Sequence, residues 1–366
     1  MPKAKKKQLV GMVYSMTNEA VNNQVIAFRR GINGKLTRMK AYPTGGGGTG
    51  TTEVSPATPQ DGVDPLASQD SLVLSKDTDF LFAVNAGTNS ISSFRVAASG
   101  ALSLADVEPS GGYQPNSLAV FGNRLYVSNV GNEANNYASN ISGFRLERDG
   151  RLTPIPGAIY TLSTANAQPA NVVINSDGRL LVVSELTTNR LSVFRFKSDG
   201  TLSGPIINES AGAGPFGMYF LSGGVLLVSE AGSNALSSYT AAANGSLATV
   251  SASIPNGQLA TCWVVPARNE RYAFTSNAGS GTITIYRINN DKPLEVMENV
   301  YSTAEGSAAN PIDIGVSRDG RYFYALNGNK GSISVFRIER DGHLTRVQVL
   351  RDSMLPVLGS QGIAVR

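Results

Sequence analysis

The chain has 366 residues with 39 Gly, 16% charged and 41% hydrophobic residues, a balance that suits a β-rich protein with many turns and excludes collagen-like and disordered classes. The formal charge of +4 belongs to Lys3, Lys5, Lys6 and Lys7, without which it is zero; no basic stripe marks the body, so nucleic-acid binding is not expected. No apolar run reaches the ~18 residues of a membrane span, and the single cysteine, Cys262, excludes an internal disulfide or a cysteine zinc cluster.

In chain order, residues 1–7 read as a solvated basic tail, and 8–366 as one repeat-built domain. No signal peptide is legible behind the Lys run. The chain therefore reads as cytoplasmic as written, or as secreted or periplasmic if a leader was removed. Residues 9–15, 24–29 and 36–42 are expected to be the second, third and fourth strands of a unit that lacks its first. A long interval at 43–67 follows, carrying Gly45-Gly46-Gly47-Gly48 and several Pro. It lacks the Lys-Ser/Thr of a phosphate loop.

From there one phrase recurs: a small residue, an aliphatic, one or two more, an aromatic, and usually Arg. Its seven aromatics are Phe28, Phe94, Phe144, Phe194, Tyr239, Tyr286 and Phe336, spaced 66, 50, 50, 45, 47 and 50 apart. Upstream of six copies lies a strand ending in Asn or Glu: Asn85, Asn129, Glu185, Glu230, Asn277 and Asn327. Before that comes a strand often opened by Pro (Pro115, Pro169, Pro215, Pro311). Downstream, Asp149-Gly150, Asp199-Gly200, Asn244-Gly245 and Asp341-Gly342 supply tight-hairpin dipeptides that tolerate positive φ. Four strands per ~45–50 residues define a propeller blade. The expected fold is all-β, a seven-bladed β-propeller of four-stranded antiparallel blades. The missing first strand, 362–365, pairs with the N-terminal strands to close the ring and remove its edges.

The turns between strands one and two and between three and four read as tight, the other connections as longer. In an up-and-down blade the longer ones emerge together, so 43–67 and 130–139 are expected on one face, around the mouth of the channel.

The Pro-opened first strand, the Val-Ser/Asn-Glu/Asn second strand and the Ile-Ser-Val-Phe-Arg…Asp-Gly-x-Leu hairpin resemble the lactonase-type propellers, among them 6-phosphogluconolactonase and the fungal carboxymuconate cyclase. The resemblance covers essentially all of 8–366. It implies a lactone-hydrolase fold whose enzymes open the fifth-blade first strand with Gly-Pro-Arg-His and carry a further His and Arg in other first strands. Here that stretch reads Gly214-Pro215-Phe216-Gly217, so Phe216 stands in the Arg position and Gly217 in the His position. Gln168-Pro169-Ala170-Asn171 has no His, and Asn310-Pro311-Ile312-Asp313 has no Arg.

The one histidine, His343, follows an Asp-Gly turn and is expected on the outer, tight-turn face. Carboxylates therefore supply the catalytic candidates: Glu230, Glu185 and Asp313, acting as acid or base if desolvated. The Glu pair has a plainer alternative, which is to hold the turn that follows, as Asn85 or Asn327 would. Asn116, Asn171, Tyr113, Phe216 and Trp263 lie near first-strand starts and are the candidates for ligand binding, or for channel waters and packing between blades. No metal site or cofactor is read from the sequence, although an oxygen-only site would suit calcium or magnesium.

Two functional expectations result. One is a monomeric propeller that binds a small polar molecule, a glycan or a protein at the mouth without the family's usual catalytic set. The other is a divergent lactone hydrolase; a structural or surface-interaction role is a third.

Overall fold

Second strands such as Leu180–Glu185 and Tyr322–Asn327 are buried along their whole length. Both of their faces meet a neighbouring blade, so apolar and small residues fill every position without alternation. Fourth strands such as Leu102–Pro109 and Leu247–Pro255 are largely exposed. In the computed structural model, which describes residues 11–54, 61–289 and 294–366, these strands form seven four-stranded antiparallel sheets. The Lys run and the beginning of the strand expected at 9–15 lie outside the described residues, as do 55–60 within the long interval.

The ring closes between the chain ends. Gln361–Val365 pairs with Gly11–Met16, setting Val13 opposite Val365, Tyr14 opposite Ala364 and Ser15 opposite Ile363. Gly11–Met16 in turn pairs with Gln24–Arg30, and that strand with Leu36–Pro43. Blade one is thus built from both ends of the chain, and no strand edge is left open at the seam.

Adjacent blades are joined by apolar contacts and by hydrogen bonds to the hairpin turns. Phe274, Phe323 and Phe336 pack at ring separations of 5.2 and 5.9 Å across blades six and seven, each buried ring contributing about 2–3 kcal/mol. Gly100, Gly200 and Gly245 take φ of +83, +89 and +94°, the left-handed conformation that favours glycine. Their carbonyls accept hydrogen bonds from the preceding blade: Tyr14 Oη donates to Gly100 at 2.9 Å, Tyr126 Oη to Gly200, and Asn208 Nδ2 to Gly245 at 3.1 Å. The Arg after the repeated aromatic points outward. Arg287 and Arg337 pair with Glu295 and Glu339, while Arg95 donates to turn carbonyls instead.

One expectation about the loops needs correction. The connections between second and third strands are short in five blades (86–89, 186–189, 231–234, 278–281 and 328–331), no longer than the turns on the opposite face. Only 17–23 and 130–139 are extended. Length on the mouth face instead comes mainly from 44–71, the chain that precedes a first strand cut to Leu72–Leu74.

Candidate functional site

That strand is short because the residues before it leave the blade and cross the channel. Ser68 Oγ donates to the Asn116 carbonyl of blade three at 2.7 Å, and the Ser68 carbonyl accepts from Trp263 Nε1 of blade six at 3.0 Å. Gln69 spans the axis. Its backbone N–H donates to Ala170 in blade four, its Nε2 donates to the carbonyls of Met218 and Val264 in blades five and six, and its Oε1 accepts from Val264 N at 2.9 Å. The plug ends at Asp70, with φ +64°, whose carbonyl accepts from Leu118 N.

Asn116 and Asn171 serve this plug. Asn116 Nδ2 donates to the Leu66 and Pro169 carbonyls, and its Oδ1 accepts from Ser128. Asn171 Nδ2 donates to the Gln69 carbonyl and to Asp70 Oδ2, and its Oδ1 accepts from Met218 N. Gly217 is where the plug most needs space: a Cβ there would lie 2.3 Å from Gln69 Oε1 and 2.7 Å from the Cys262 carbonyl. The position at which the resemblance expects a histidine therefore faces the carboxamide of Gln69.

Glu185 and Glu230 are fully buried and lie away from the axis. Glu185 accepts from Ser163 N at 3.0 Å, from Thr188 Oγ1 at 2.8 Å, and from the hydroxyls of Ser163 and Ser192. Glu230 accepts from Ser237 at 2.5 Å and Ser253 at 2.6 Å. Asn85, Asn277 and Asn327 bond the third-strand hydroxyls of Ser92, Thr284 and Ser334 in the same way. At this position, Glu and Asn both tie the second strand to the hairpin beside it.

Asp313, with φ +50°, lines the channel from blade seven and accepts from Ile314 N and Ile363 N, each at 3.0 Å. Burial, reinforced by the negative charge of Asp70, pushes its carboxyl well above the usual range. Burial likewise raises Asp70 to about 6, against the hydrogen bond from Asn171.

Above the plug, on the mouth face, lies a cavity of about 290 Å³. Phe216 and Trp263, with ring centroids 5.0 Å apart and planes at 66°, form one wall with Cys262. Leu186, Ala231 and Ala278 extend the apolar lining, and Asn310 adds an amide. Residues 53 and 61–67 add Val63, Ala67 and three carboxylates, Glu53, Asp61 and Asp64, to the lining. Burial, then the charge of Asp61, raises Glu53 to about 7, although Gly62 N donates to its Oε1 at 3.2 Å. Asp64 is pushed well above the carboxylate range by burial and then by Glu53, which outweigh the hydrogen bonds from the Gln361 amide and Ala67 N; its Oδ1 is out of solvent contact.

Sequence reasoning placed Phe216 and Trp263 near this mouth, and the structure puts them side by side in its lining. Tyr113 lies outside it, partly exposed on the connector into blade three. Cys262 is a buried thiol whose ionisation burial pushes far up, and His343 sits outside, exposed, against Glu298. Glu53, Asp61, Asp64, Gln69 and Asp70 were missed. The only signal for them was the 66-residue interval between the first two repeated aromatics, where the others run 45–50. Among the described residues, no three His, Cys, Asp or Glu side chains are grouped to hold a metal ion, and no helix is long and apolar enough to cross a membrane.

Fold and site together define a seven-bladed propeller with an internally plugged channel and a pocket at its mouth. The family described as Lactonase, 7-bladed beta-propeller, matches residues 10–138, 132–266 and 263–353, and the chain belongs to it. Similar solved structures include a candidate 6-phosphogluconolactonase from Bacteroides fragilis, 16% identical over 100% of this chain and 99% of that one, with a TM-score of 0.74. The periplasmic gluconolactonase of Pseudomonas aeruginosa is also 16% identical over 97% and 99%, with a TM-score of 0.74. A candidate 6-phosphogluconolactonase from Bacteroides uniformis is 20% identical over 96% and 98%, at 0.72. At these identities the likeness speaks for the fold alone. No curated protein matches the sequence.

Proposed function

We propose that this propeller binds a small molecule in the mouth pocket, with the apolar part of the ligand against Phe216 and Trp263 and its polar part toward Glu53, Asp61 and Asp64. The observation that carries the reading is the position of Gln69. It fills the channel where Gly217 leaves room, so the accessible concavity is the one above it. A concave, mostly apolar pocket with a few convergent polar groups is the usual form of a small-molecule site.

Trp263 is the only tryptophan in the chain, so its fluorescence reports on the pocket directly. Ligands that occupy the site should change that emission saturably, and Phe216→Ala should weaken them at least about tenfold, the loss expected when a packed aromatic contact is removed. A ligand that binds by calorimetry without altering Trp263 emission, and is indifferent to Phe216→Ala, would place binding elsewhere.

Family membership favours a second reading, a lactone hydrolase that uses a pocket carboxylate as general base. Glu53 suits that role, because its carboxyl is raised to about 7, near the working pH. Turnover of 6-phosphogluconolactone or of neutral γ- and δ-lactones that Glu53→Gln abolishes would support it. Turnover unaffected by Glu53→Gln but lost in Glu230→Gln would return the chemistry to the second-strand carboxylates.

A further inference from the structure

Resting on the mouth-pocket reading, we propose that the ligand is an organic cation with an apolar body, such as a quaternary or protonated amine, and that anionic phosphosugars are excluded. Three features of the cavity lead there. The first is the sign of its charge. Among the described residues, its ionisable oxygens are those of Glu53, Asp61 and Asp64, and no Lys, Arg or His lines it.

The second is the state of those oxygens. Asp64 Oδ1 is shut off from solvent with no donor within hydrogen-bond reach, and the Gln361 amide and Ala67 N offset the burial of its carboxyl only in part. A buried oxygen without a donor is costly to leave unmade, and a ligand cation placed beside it would relieve that cost. The third is the aromatic lining. Phe216 and Trp263, edge-on at 5.0 Å, border the cavity although only 3% and 1% exposed, and aromatic rings attract alkylammonium groups through their quadrupoles. A pocket bordered by carboxylates and by indole and phenyl rings complements a compact cation in both charge and surface.

The proposal has a proton signature. Glu53 and Asp64 hold protons above the ordinary carboxylate range because each is buried and each feels another carboxylate. A bound cation favours their ionised forms, so binding releases protons. The affinity for a permanent cation should therefore rise with pH through about 7, where Glu53 titrates.

The test uses the whole chain and Trp263 emission. The probes are benzyltrimethylammonium and choline as cations, 3,3-dimethylbutan-1-ol as a neutral isostere of choline, and 6-phosphogluconate as an anion. Both cations should quench saturably and bind on the order of tenfold more tightly at pH 8 than at pH 6, one protonation step being worth a factor of ten per unit at the limit. The neutral isostere should bind at least about tenfold more weakly than choline, and 6-phosphogluconate should not bind. Asp64→Asn and Asp61→Asn should each weaken the cations; the second, at a more exposed position, guards against a folding defect in the first. Equal affinity for choline and its neutral isostere, or pH-independent cation binding, overturns the charge assignment. In that case a saturable response to the neutral ligand keeps the pocket reading alone, whereas silence of Trp263 toward all four probes counts against both.

Discussion

Two pairs of carboxylates in this molecule have opposite surroundings. Glu185 and Glu230, at the ends of second strands, are enclosed by hydroxyl and amide donors from their own blades. Glu53 and Asp64, on the chain at the mouth, face a cavity and other carboxylates, and burial keeps Asp64 well above the carboxylate range despite the Gln361 amide. Burial alone therefore does not mark a working carboxylate. The first pair is held by donors of the surrounding turns and strands, whereas the second stands beside a cavity that a ligand can enter.

The contrast can be broken most forcefully at Glu230. Glu230→Ala leaves the buried Ser237 hydroxyl and the half-buried Ser253 hydroxyl without their acceptor and should cost about 3 kcal/mol in chemical denaturation, against about 1 kcal/mol for Glu230→Gln, which can still accept from one of them. Equal and negligible losses would mean the hydrogen bonds carry no weight. Next in size is the plug. Gly217→Ala drives a methyl to within 2.3 Å of Gln69 Oε1 and should destabilise by about 1–3 kcal/mol. Pairing it with Gln69→Ala should recover at least about 1 kcal/mol of that loss in a double-mutant cycle. Simple additivity would show that Gln69 does not occupy that space in solution.

A smaller effect is expected from pH. Glu53 and Asp70 hold their protons to about 7 and about 6 in the fold, whereas in the unfolded chain they lose them near 4. Between those values the native state binds more protons, so stability should fall as pH rises from about 4 to about 7, with Asp64 and Asp313, also raised by burial, adding to the fall. Glu53→Gln should flatten the upper part of that slope, as read by thermal melts at fixed ionic strength. The smallest effect belongs to His343, which Glu298 holds protonated above the ordinary histidine range. Its contribution is present below about 6.5 and lost as pH rises through the elevated value. Because the pair is exposed, His343→Ala should change stability by no more than about 0.5 kcal/mol.

The ring was readable because each blade repeats the same local solution. Pro115, Pro169, Pro215 and Pro311 open first strands as the sequence suggested, and 362–365 pairs with the N-terminal strand to close blade one as expected. The equivalence of Glu185 and Glu230 with Asn85 and Asn327 was also legible, because it rests on periodic position. What could not be read is the part without a period. Nothing in Ser68-Gln69-Asp70 distinguishes a loop on the surface from a plug across the axis. That path is fixed by bonds to Ala170, Met218 and Val264, about 100, 150 and 195 residues away. The pocket carboxylates were hidden for the same reason, since they come from the one interval that breaks the repeat.

A crystal structure of the full chain with benzyltrimethylammonium bound tests the plugged channel and the mouth pocket together. The expected result is Gln69 bridging Met218 and Val264 across the axis, with the cation above it between Trp263 and Asp64. A cation or a lactone lying in an open channel against Asp313 or Glu230, with 68–70 displaced from the axis, would contradict both.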